Sequence, residues 1–102
     1  MTRIKARRHK RKFAIYADGH ATGSEEACAG VSALLYALAG WLKNVPDRVR
    51  VFKSHMEPGQ VTLIFYGEEA ARTAFEVTMI GLAQIAAKFP KSVSISINQP
   101  ES

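Results

Sequence analysis

The residues of this sequence best equipped for covalent chemistry lie in one stretch, DGHATGSEEACAGVSALL, residues 18–35. It holds the single cysteine, Cys28, and His20 eight residues before it. A thiol attacks as its thiolate, and a helix N-terminus or a nearby histidine favours that form. Ser24 is a good N-cap, with Glu25 and Glu26 behind it where negative charge suits the helix dipole. Cys28 then falls within the first turn or so, where amide donors favour a thiolate and can bind a developing oxyanion. A base in reach of the thiol completes the minimum equipment for acyl transfer. Ser32, one turn on, shares the face of Cys28 and is placed to hydrogen-bond near the sulfur or orient a partner. Gly19 and Gly23 flank the histidine in the loop and are candidates for the oxyanion site. Asp18 is a candidate third member if the strand carrying it continues to His20.

A second reading of the same residues stays open. Free cysteine is among the most buried residue types and usually packs as a small hydrophobe. Glu25 and Glu26 also oppose a thiolate if they point inward. The residues alone leave Cys28 either a nucleophile or a core thiol.

The elements that must position these residues read as ββαββαβ. Strands are expected at 2–8 and 12–18, with RHK near the hairpin tip. Phe13, Ile15 and Ala17 alternate with Ala14, Tyr16 and Asp18 in the second strand. The first has only Ile4 and Ala6 as an apolar face and is expected to be an edge strand blunted by charge. A helix runs from the Ser24 cap to about Asn44, with Val31, Leu34, Leu35, Leu38, Trp41 and Leu42 at helical spacing, and NVPD ends it. Residues 48–55 and 61–66 form a second hairpin, joined by EPGQ with a type II turn signature. A second helix spans Glu68 to Lys88, with Ala71, Phe75, Thr78 and Leu82 on one side, and Pro90 stops it. In SVSISIN the spacing places Val93, Ile95 and Ile97 inward and the serines outward. Two helices on a sheet of about five strands make a single-domain α+β sandwich.

Composition sets the outer bounds. A chain of 102 residues suits one domain, and 47% hydrophobic with 23% charged residues is ordinary for a globule. No apolar run approaches the roughly 18 residues of a membrane-spanning helix, and no apolar block of a secretory signal follows the basic start. One cysteine cannot form an intrachain disulfide, which makes a reducing, cytoplasmic setting the default. The formal charge of +5 is unevenly spread. Arg3, Lys5, Arg7, Arg8, Lys10, Arg11 and Lys12 supply seven of fourteen bases, leaving seven against nine acids elsewhere, a formal −2. The basicity is a local patch, which weakens an argument from overall charge to a nucleic-acid-binding fold. His9 reads as a turn residue and His55 as a strand-end residue. Without HExxH or CxxC spacing no metal site is expected, and no cofactor either.

The order GHA, short Gly/Ser loop, CAGVSALL resembles the ribosomal-processing cysteine protease family Prp, over nearly the whole chain. The resemblance implies a cysteine endopeptidase with His20 and Cys28 as its catalytic pair. The family's serine four residues after the cysteine matches Ser32, and its acid three residues before matches Glu25. It further implies a homodimer that removes a short N-terminal extension from a large-subunit ribosomal protein. Phage-borne relatives are associated with capsid or scaffold processing instead. Two departures, the seven-residue loop between His20 and Cys28 and the basic first hairpin, would suit a phage-encoded member. The rival from another class is a non-catalytic RNA- or ribosome-associated module that binds through the basic hairpin.

Overall fold

A computed structural model describes residues 1–20 and 23–98. The order is β1 (Thr2–His9), β2 (Lys12–Asp18), α1 (Glu25–Asn44), β3 (Val49–Glu57), β4 (Gln60–Gly67), α2 (Glu69–Lys88) and β5 (Val93–Asn98). All seven expected elements form, with boundaries shifted by one or two residues. Ala21 and Thr22, within the GHA motif and the loop after it, lie outside the described residues, as do residues 99–102.

The five strands make one sheet in the order β3-β4-β2-β1-β5. Four neighbours run antiparallel through the two hairpins and the β2–β4 pair, and β5 returns after α2 to lie parallel to β1. One face carries both helices. Ile4 and Ala6, Phe13 and Ile15, Leu63 and Phe65, and Val93 point into it and are buried. Val31, Leu35, Leu38 and Leu42 of α1, with Ala71, Phe75, Met79 and Leu82 of α2, close the core from above. Phe13 is central, with ring centroids 5.4 Å from Phe65 and 5.1 Å from Phe75.

The structure corrects two expectations. β1 is not an edge strand: it sits between β2 and β5, paired with β2 from Arg3 to His9 and with β5 from Thr2 to Arg7. Its charges had suggested an edge, yet Arg3, Lys5 and Arg7 all leave by the helix-free face, where an interior strand tolerates them. The edges are β3 and β5. On β5, Val93 is buried and Ile95 half-buried, but Ile97 is 41% exposed. Its side chain belongs to the helix side at the sheet's margin, where Glu76, Met79 and Ile80 of α2 lie beside it and cover it only in part.

The turn between β3 and β4 matches its sequence signature. Gly59 has φ +77°, the value a type II turn demands at its second central position. β3 carries a bulge between Val51 and Lys53, which leaves Phe52 71% exposed.

Candidate active site

The start of α1 is built as its sequence predicts. Ser24 adopts extended backbone, and its hydroxyl accepts from the Ala27 N–H at 3.1 Å. Glu25 and Glu26 occupy the first turn. Cys28 follows as the first residue whose own N–H enters the helix ladder, donating to the Ser24 carbonyl at 3.2 Å. Its side chain is exposed, so the core reading of this thiol does not hold. Val31, Ser32 and Leu35 continue its stripe at spacings of three, four and seven, which places all four on one helix face.

That stripe is one wall of a cleft of about 260 Å³. Gly19 and His20 stand across from it, the β3–β4 turn from Met56 to Val61 forms the far side, and Thr2 and Ala17 complete the lining. His20 is exposed and, with Cys28, opens onto this one cavity. No hydrogen bond joins the two side chains among the described residues, a separation common before substrate draws catalytic groups together.

The end of β2 is fastened with care. Gly19 has φ +89°, and a Cβ there would clash with the Met1 carbonyl oxygen. The Gly19 N–H donates to the Gly59 carbonyl at 2.9 Å, and the Thr2 hydroxyl donates to the Gly19 carbonyl at 3.2 Å. This locked glycine turns the chain out of the sheet and delivers His20 onto the β3–β4 turn. A Cβ added at Gly59 would fall 2.7 Å from His20 Nε2, so the imidazole rests directly on the glycine.

The structure therefore gathers Gly19, His20, Cys28 and Ser32 around one cavity. It does not bring the other candidates there. Glu25 is exposed at the helix start and Gly23 lies exposed in the loop, both outside the lining. Asp18 ends β2 on the opposite face, paired in register with Arg3 and Gln60, and the turn at Gly19 keeps it from sharing a face with His20. The Gly19 and Cys28 N–H groups, candidates for an oxyanion site, are both engaged by carbonyls here. Among the described residues no three His, Cys, Asp or Glu side chains cluster to hold a metal.

Sequence reasoning missed the EPGQ turn as part of the site. Pro58 and Gly59 were legible as a turn, but their place beside His20 depends on the Asp18–Gln60 register of β2 and β4, which no local pattern states. It also missed the apolar share of the cleft, Met56 and Val61 from the hairpin and Tyr36 from α1.

Solved structures share this fold. A Streptococcus mutans protein of known crystal structure superposes with TM-score 0.73 at 22% identity, covering 98% of this chain and 96% of its own. The essential ribosomal processing protease Prp from S. aureus, with a covalently linked product peptide, gives TM-score 0.76 at 17% identity over 98% of this chain and all of the other. The same protease with a substrate peptide gives 0.75 at 15% identity, over 96% of this chain and all of the other. At such identities the likeness establishes the fold. No curated protein matches by sequence. The family model described as cysteine protease Prp matches residues 1–94, nearly the whole chain. This protein belongs to the Prp family of cysteine proteases.

Proposed function

We propose that this protease removes a short N-terminal segment from a ribosomal large-subunit protein, with Cys28 as nucleophile and His20 as general base and acid. The observation that carries the assignment is the shared cleft: the one thiol of the chain and a histidine seated on Gly59 open into the same cavity. The S. aureus relative is a ribosomal processing protease and has been captured with peptide bound.

The chemistry follows from the two side chains. His20 accepts the proton of Cys28, and the thiolate attacks the scissile carbonyl carbon, moving the carbonyl electrons onto oxygen. Collapse of that intermediate breaks the C–N bond, His20 returns its proton to the departing amine, and a thioester remains. Water enters, His20 takes its proton, and attack on the thioester releases the new carboxylate and regenerates the thiol. Ser32, half-buried one turn below the sulfur, positions the thiol from the same helix face. Glu25 complements the N-terminal pole of α1 and takes no step in the reaction. Val31, Leu35, Met56 and Val61 give the cleft an apolar wall for a side chain of an extended substrate. The enzyme works as a homodimer in the reducing cytoplasm, where the thiol stays free.

Incubation of the wild-type protein and C28A with two sets of precursors tests this. N-terminally extended ribosomal proteins form one set and phage capsid or scaffold precursors the other. Cleavage of the ribosomal set by wild type alone supports the reading. Cleavage of the phage set alone moves the substrate to a virion precursor and keeps the dyad, while equal cleavage by C28A removes it.

A further inference from the structure

We propose that the helix-free face of the sheet is a second site, which binds single-stranded RNA. The inference stands independently of the substrate assigned to the cleft.

The strand registers arrange this face in rows. One row runs Ser96, Lys5, Tyr16, Thr62, His55; the next runs Asn98, Arg7, Ala14, Ile64, Lys53; a third runs His9, Lys12, Tyr66, Arg50. In the first and third rows cations stand beside aromatic rings on neighbouring strands, which lie about 4.8 Å apart in any sheet. Tyr16 stands beside Lys5, and Lys12 Nζ lies 6.0 Å from the centre of the Tyr66 ring. Arg7, Lys12, Ala14 and Tyr16 line a shallow hollow of about 440 Å³. The bulge on β3 adds Phe52, 71% exposed, in a second hollow with Arg50 and Tyr66. The bulge turns this phenylalanine out to water and not into the core.

Of the acids borne by the strands, Asp18 and Glu57 share one row, while Asp47 and Glu68, outside the strands, line the hollow beside Phe52. Asp18 is paired in register with Arg3, and Glu57 lies 3.5 Å from His55 Nε2. Both lie in the row next to the cleft, whereas the basic rows lie toward the β1–β2 hairpin tip. Arg11, at that tip, is engaged by Glu68 at 2.9 Å. The three rows themselves hold no acid, so their strand residues are net positive.

Charge alone would suit any polyanion. The rings select among them, because a base offers a face to stack on and an acidic peptide does not. Ala14 and Ile64 form the row between Tyr16 and Tyr66, and Ser94, Ser96 and Asn98 supply exposed polar groups along β5. Stacking needs unstacked bases, which a single strand presents and a duplex withholds.

Fluorescence polarisation of the full chain with a labelled short oligouridine RNA, over rising KCl, tests the proposal. A duplex RNA and a polyglutamate peptide of equal length serve as comparators. Wild type is expected to bind oligouridine most tightly, with affinity falling steeply with salt, log K against log[KCl] sloping by about −0.7 per phosphate neutralised. The double variant K5S/R7S is expected to reduce that slope by roughly 1 or more. F52A is expected to weaken binding about tenfold with the slope unchanged, and Y16S likewise. Phe52 is mostly exposed and outside the core cluster, so F52A reads out the stacking term even if Y16S fails to fold. Cleavage of precursor peptide is expected to be unchanged in K5S/R7S and F52A. Absence of oligouridine binding at low salt overturns the proposal. So does polyglutamate or duplex binding of equal strength, or binding that F52A leaves intact, each of which marks the face as a generic polyanion or acidic-protein surface.

Discussion

Cys28 and His20 are held by very different means. Cys28 is fixed by helix geometry, since the Ser24 cap and the first ladder bond from its own N–H set where the sulfur stands. His20 is fixed by contact with a bare backbone, the Gly59 Cα beneath its ring. Replacing Gly59 by Ala puts a methyl group into that contact at a left-handed φ, where a side chain costs about 1–3 kcal/mol. With His20 as the proposed base, the expected result is a folded G59A protein whose kcat/KM falls at least about tenfold, because displacing a catalytic group by 1 Å can cost about a hundredfold. Thermal melts and peptide-cleavage kinetics on one preparation separate the two effects. The role of Gly59 could not be read from residues 58–60, which announce a turn and nothing about what rests on it. The proposed dyad was easier: GHA and CAGVSALL point to His20 and Cys28 through family likeness, while spacing alone had left the thiol between nucleophile and core.

The helices and strands owe their formation to local pattern and their placement to long-range pairing. Ser24→Ala removes the hydroxyl that satisfies the Ala27 N–H, and urea denaturation is expected to show about 1 kcal/mol lost. Because Cys28 begins the ladder one turn from the cap, fraying there is expected to lower kcat as well. β1 shows the limit of local reading. Thr2, Ile4 and Ala6 on one side and Arg3, Lys5 and Arg7 on the other describe a strand with one wet face, and such a strand can be interior or edge. What decided the matter was β5, returning after α2 to pair in parallel with Thr2 through Arg7. Ile97 fits the inward period of its strand yet is only partly covered by α2 at the sheet's margin. Ile97→Ser is accordingly expected to change stability by no more than about 0.5 kcal/mol, as for surface substitutions generally. Phe75→Ala, in the fully buried ring cluster with Phe13, is expected to cost about 3–5 kcal/mol and to leave little folded protein. A pair of denaturant titrations compares the two sites.

The molecule as a whole is a layered object with separated duties. Helices cover one face of the sheet and make the core, the cleft opens at the end where β2 leaves the sheet, and the other face gathers the positive charge. The average of +5 conceals this division, because seven bases fall within residues 3–12 and the remainder is −2. No helix among the described residues is long and apolar enough to cross a membrane. The central claim about this assembly is that one thiol and one histidine, brought to a common cleft from two elements, cut a peptide bond. The most direct measurement is intact-mass spectrometry of an N-terminally extended ribosomal precursor incubated with wild type, C28A and H20A. The account predicts one new terminus with wild type, a transient enzyme species heavier by the acyl fragment, and neither with C28A or H20A. Cleavage that survives in C28A, or a wild-type adduct on any residue other than Cys28, would contradict it.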